Sequence, residues 1–160
     1  MSKAERRKTM FTLDKQIDGV TRKMNHVTYN AIGVVVTRLD ELSPVGDEAL
    51  WATPAPKGYR GGQFRGNWQL GVDVIPTGWL KGNIDPSGEA TVAKNITAIP
   101  QAASRHKYYI VNNAPYALRI EQGWSTQSKP NHLTLRVKRE FNGIVRSIVA
   151  DIKAKGGRVR

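Results

Sequence analysis

Phe64-Arg65-Gly66-Asn67-Trp68-Gln69-Leu70-Gly71-Val72-Asp73-Val74 alternates apolar or small residues with mainly polar ones, a period of two held over eleven residues. Successive side chains of a strand point to opposite faces, so this spacing predicts a β-strand with Phe64, Trp68, Leu70 and Val72 turned to a core. The polar face is left for water or a partner subunit. No other stretch of the chain shows so clean an alternation.

On the N-terminal side, residues 43–62 are predicted to be a long surface loop, because Pro44, Pro54, Pro56 and Gly46, Gly58, Gly61, Gly62 interrupt any regular period. Before the loop, Ile17, Val20, Met24, Val27, Ala31, Val34, Val35, Leu39 and Leu42 recur at intervals of three and four. That is the stripe of one long amphipathic helix over 14–42. Ser43-Pro44 ends it, since a residue before proline avoids helical dihedrals. On the C-terminal side, Pro76-Thr77-Gly78 and Asp85-Pro86-Ser87-Gly88 read as turns, with a short strand expected at Trp79-Leu80 between them. A helix over about 88–98 follows, then a buried strand at Tyr108-Tyr109-Ile110-Val111. Asn113 is expected to cap a helical turn over 114–122, closed by Gly123. A last helix carries Val137, Phe141, Ile144, Val145, Ile148 and Ile152 on one stripe, and Gly156-Gly157 releases the end.

A chain of 160 residues suits one domain with one core. It contains no cysteine, so disulfides, thiolate nucleophiles and zinc-thiolate sites are excluded. No apolar run approaches the roughly 20 residues that span a bilayer, and no signal-peptide core follows the charged start, so no membrane is expected as a partner. The formal net charge of +12 is uneven: residues 1–23 hold seven basic and three acidic groups, and residues 129–160 hold nine and two. Residues 1–12 and 154–160 are accordingly expected to be basic, flexible tails on a single domain spanning 1–160. Basic ends of this kind meet acidic protein surfaces, nucleic acid or solvent.

The residues that carry chemistry do not converge in the sequence. His26, His106 and His132 lie far apart and lack the i, i+4 pairing of a metal-binding helix face, so neither a metal nor a cofactor is expected. Gly123-Trp124-Ser125-Thr126-Gln127 lacks the second glycine of a hydrolase elbow and follows a helix instead of a strand. Asp73, Asp85, Glu89 and Glu121 have no spacing that pairs two carboxylates. Tyr59-Arg60-Gly61-Gly62-Gln63-Phe64-Arg65-Gly66 mixes aromatic, arginine and glycine as nucleic-acid-binding segments do, although it occurs once and runs into the strand. A basic nucleic-acid-binding module is therefore the alternative reading.

Two stretches carry a resemblance. Residues 59–69, including Tyr59, Arg60, Phe64, Arg65, Gly66, Asn67 and Trp68, and residues 112–125, including Asn112, Pro115, Tyr116, Ala117, Glu121, Gly123 and Trp124, resemble the tail-completion, or head-tail joining, family of long-tailed bacteriophages. The second stretch fills an Asn-x-x-Pro-Tyr-Ala-x-x-x-Glu-x-Gly pattern. The likeness covers about residues 14–150, and Pro44-Val45-Gly46-Asp47 departs from the family's usual loop wording. It implies an α+β fold, a small, mainly antiparallel sheet flanked by a long N-terminal helix and a C-terminal helix. It also implies a non-enzymatic virion protein at the tail or neck, present in the host cytoplasm during assembly. The implied partners are copies of itself, six in a ring, the connector or stopper, and the tail tube or terminator, with non-specific DNA contact as a further expectation. A closed ring needs two complementary patches per subunit. The capped turn, with Glu121 and Trp124 as candidate interface residues, and the loop-strand segment are the places expected to supply them.

Overall fold

A computed structural model describes residues 2–47, 49, 54, 57, 60–123 and 132–159; Tyr59 and Trp124 lie outside the described residues. The architecture is α+β, with a two-stranded antiparallel sheet between a long N-terminal helix and a C-terminal helix. Helix α1 runs Lys3–Leu42, so it begins well before the expected residue 14 and takes in most of the segment expected to be a flexible tail. The cause is a capping box: Glu5 N–H donates to Ser2 Oγ at 3.2 Å, and Ser2 N–H donates to Glu5 Oε2 at 2.5 Å. Its C-terminal end stops at Ser43-Pro44 as expected. Ser43 N–H bonds Asp40 O at 3.0 Å, and Ser43 Oγ donates to Leu39 O at 2.6 Å.

The predicted eleven-residue strand is extended only over β1, Trp68–Val72. Phe64 is helical (φ −64, ψ −48) and opens a 3-10 turn over Arg65–Asn67. Asp73, at φ 61, leaves the strand at the other end. Strand β2 spans Tyr108–Asn112 and pairs antiparallel with β1, Trp68 opposite Asn112 and Val72 opposite Tyr108. Trp79-Leu80 forms no strand. Instead the Asn67 side chain takes Leu80 N–H at 2.9 Å and donates to Leu80 O at 3.3 Å, so an amide group replaces the pairing a strand would make.

Helix α2, Glu89–Thr97, covers the free edge of β1. Asn95 accepts Leu70 N–H at 2.9 Å and donates to Trp68 O at 2.9 Å, satisfying two groups that a third strand would otherwise meet. The helix is started by Asp85, whose carboxylate takes the N–H groups of Gly88 and Thr91 and the Thr91 hydroxyl. A methyl group at Gly88, which stands at φ 79, would overlap the Asp40 carboxylate, so this close approach of α1 to the start of α2 requires glycine.

Helix α3 spans Ala117–Gln122 and α4 spans Leu133–Ala154. Helix α4 runs antiparallel to α1: Arg38 grips Glu140 with Nε at 3.0 Å and Nη2 at 3.2 Å, and Lys23 at the other end lies beside Gly157. The core is Leu39, Phe64, Trp68, Ala114, Leu133 and Val137, with Val35, Leu42, Ile110, Tyr116, Ala117 and Ile120 packed around it. Val137 and Ile152 of the predicted α4 stripe are buried and Ile144, Val145 and Ile148 half-buried. Phe141, expected on the same stripe, is exposed. Gly156 and Gly157 are left-handed, and Gly157 N–H returns to Ile152 O at 2.8 Å to close the helix.

Candidate functional site

The two motif stretches meet at the end of the sheet. Asn112, the last residue of β2, donates from Nδ2 to Phe64 O at 2.8 Å and accepts Ala114 N–H at 3.2 Å. One side chain therefore ties the entry of β1 to the exit of β2. The Phe64 ring lies edge-on to Trp68 at 5.9 Å between centroids and tilted against Tyr116 at 6.3 Å. Trp68 in turn donates from Nε1 to Ser43 Oγ at 2.8 Å, which fixes the end of α1 to the same cluster. The long loop leaves from here and returns here: Gly62 N–H bonds Val45 O at 2.6 Å, and there is no room for a side chain at Gly61 against Val45 O and Gly46 O.

Arg65 is held within the chain. Its guanidinium donates to Pro86 O at 2.8 Å and to Ser43 O at 3.0 Å, with Nε 3.7 Å from Asp40 Oδ2. Gly66 lies against Asn83 O and Asn67 is fully buried, whereas Arg60 is exposed. Asp40 is only 4% exposed, and its Oδ1 has no hydrogen-bond partner among the described residues. Burial pushes the Asp40 carboxyl up to about 6, opposed by the Arg65 charge and reinforced by Asp85 and Glu41. Burial also pushes Asp85 upward, but the bonds from Thr91, Ser87 and Gly88 outweigh it and hold that carboxyl below its ordinary range.

The turn after β2 differs from its expected form. Asn113 does not cap it; its Nδ2 donates to Pro76 O at 3.0 Å, and α3 begins later, at Ala117, with no side-chain cap at Tyr116. Proline at 115 and the Asn112 turn delay the helix. Gly123 closes α3 in the left-handed region at φ 72, as its sequence position predicts. Pro115 is exposed, Tyr116 and Ala117 pack against the core, and Leu118 is the large apolar side chain that α3 presents to solvent. Glu121 faces α4: its carboxylate takes Leu133 N–H at 2.9 Å, Thr134 N–H at 3.0 Å and the Thr134 hydroxyl.

Other polar contacts were not legible in the sequence. His106 Nδ1 lies 2.6 Å from Asp73 Oδ2, and that bond, with the Lys107 N–H, holds the Asp73 carboxyl below its ordinary range. Ser104 donates its N–H and hydroxyl to Asn25 Oδ1, pinning the connection before β2 to α1. Among the described residues, no group of three or more His, Asp or Glu is placed to hold a metal ion, and no helix is long and apolar enough to cross a membrane. Of the motif residues, Phe64, Trp68, Asn112 and Tyr116 thus meet in one packed joint beside the start of α3, while Arg60 and Pro115 are exposed and Glu121 serves α4. Comparison with protein-family models, with curated proteins and with solved structures finds no match to this chain.

Proposed function

We propose that the chain is a structural protein of a bacteriophage virion, acting in tail completion and head-tail joining as a ring subunit at the neck. The reading rests on the resemblance of residues 59–69 and 112–125. One observation carries it further: those two stretches, far apart in sequence, join through Asn112 and Phe64 into a single framework. Their polar groups serve that framework: Asn112, Asn67 and Arg65 bond backbone carbonyls within the chain. Beside this framework lie the paired chain segments at Val45 and Gly62, and α3 with Leu118 exposed. Two different surfaces on one rigid joint suit the head-to-tail contacts of a closed ring.

Electron microscopy of the purified chain tests the reading. Closed rings, about six-fold, support it, and dispersed monomers at tens of micromolar protein oppose it. The alternative, a nucleic-acid-binding module, is separated by salt: its affinity for duplex DNA should fall by orders of magnitude from low to physiological salt. For a ring subunit held by protein contacts, assembly persists over that range.

A further inference from the structure

Helix α1 outruns the body of the protein. Lys23 lies against Gly157, the residue that closes α4, so the part of α1 before Lys23 extends beyond its antiparallel partner. Every residue from Ser2 to Asp18 is exposed. At 1.5 Å per residue this is a projection of roughly 25 Å. Such a length is marginal as a lone helix in water, and most helical stability comes from packing of an apolar face.

The projecting part has such a face. Met10, Leu13, Ile17, Val20 and Met24 follow one another at three, four, three and four residues, and each is more than half exposed. The series continues without a break through Val27 to Ala31, which is buried in the body. This is the narrow seam of a coiled-coil helix, two positions in seven. It is not the broad apolar face of a helix lying in a membrane surface, since Thr9, Thr12, Asp14, Gln16 and Asp18 interrupt it.

Charge decides what covers the seam. Residues 3–23 carry Lys3, Arg6, Arg7, Lys8, Lys15, Arg22 and Lys23 against Glu5, Asp14 and Asp18. A second copy is disfavoured in either orientation. Parallel pairing sets the basic tips together, and antiparallel pairing brings each tip to the partner copy's basic α4 end, around Lys153, Lys155 and Arg158. Nucleic acid would answer the charge and leave the apolar seam uncovered. We infer that the N-terminal half of α1 is a docking helix for a different protein, one that offers a helix with an apolar heptad seam flanked by glutamate and aspartate. The inference concerns a surface separate from the joint at Asn112 and Phe64 and does not depend on the phage reading.

The test uses the full chain and a synthetic peptide of about three heptads, with leucine at a and d and glutamate at e and g. Fluorescence anisotropy should show binding that weakens with salt and is accompanied by a gain in helicity. Ile17→Asp should weaken it at least about tenfold. Because residue 17 lies outside the core, the unfolding transition of the body should stay in place. Reversal of Arg6 and Arg7 to glutamate should abolish binding of the glutamate peptide and allow binding of its lysine counterpart. No binding of the glutamate peptide, or equal binding by Ile17→Asp, overturns the inference. So does self-association of the wild type that Ile17→Asp abolishes, which would make a second copy the occupant. Binding of a DNA duplex or anionic vesicles, unaffected by Ile17→Asp while the peptide is ignored, overturns it as well.

Discussion

The Glu121 carboxylate accepts the Leu133 N–H at 2.9 Å, so the last turn of α3 supplies the cap that α4 lacks. His132, in the cap position of α4, is left-handed and makes no side-chain capping bond. A carboxylate there also meets the positive end of the helix dipole. Glu121→Ala should therefore destabilise the isolated chain by about 1–2 kcal/mol. Glu121→Gln should recover part of that, because it keeps an acceptor without the charge. Urea unfolding decides. A midpoint unchanged by Glu121→Ala would free this residue for the interface role its motif position suggests.

Trp68 joins the core to the end of α1, being 4% exposed and bonded to Ser43 Oγ. Trp68→Ala should cost about 3–5 kcal/mol. Trp68→Phe and Ser43→Ala should each cost about 1 kcal/mol in lost hydrogen bonding, and less than the sum when combined. Full additivity in the double-mutant cycle would mean that the indole N–H and the hydroxyl do not interact.

Asn95 stands where a third strand would lie. Asn95→Ala leaves Leu70 N–H and Trp68 O without partners and should cost about 2–4 kcal/mol. Amide exchange at Leu70 should quicken more than at the amides that pair with β2. If Leu70 kept its protection, the Asn95 side chain would not be what shields that N–H and the free-edge account would fail.

Asp40 gives stability an unusual pH dependence. Its carboxyl sits at about 6 in the folded chain against an ordinary 3.8, so the folded state holds more protons than the unfolded state between those values. Its contribution is then full below about pH 4 and is lost as pH rises through 6, about 3 kcal/mol in all. Asp85, held low, acts in the opposite sense and loses its contribution only in stronger acid. Asp40→Asn removes the first effect. Its stability relative to wild type should rise by up to about 3 kcal/mol between about pH 4 and pH 7.5. An equal difference at both pH values would contradict the raised carboxyl.

The helices and the paired strands were legible because apolar periodicity and breakers act locally: Ser43-Pro44 ends α1 and Gly123 closes α3 where the sequence places them. The start of α1 was also written in Ser2-Lys3-Ala4-Glu5, but a stripe beginning at Ile17 drew the boundary inward. Alternation overstated β1 because a run with period two does not reveal that Phe64 turns helical or that Asp73 turns left-handed. The polar side chains that replace missing strands, Asn67 at Leu80 and Asn95 at β1, act across 13 and 25 or more residues, a distance no local pattern encodes. The same holds for Arg65 with Asp40 and for Glu121 with α4. Arg65, Asn67 and Glu121 stand out in the sequence and their partners do not, while Asn95 and Asp40 are legible only in the fold.

The proposal of a neck subunit is met most directly by counting joined particles. Phage heads and tails made without this protein should accumulate separately in electron micrographs. Addition of the purified chain should restore joined virions, and a variant with Leu118→Asp, folded as judged by its melting curve, should restore fewer. Equal numbers of joined particles with and without the chain would contradict the account.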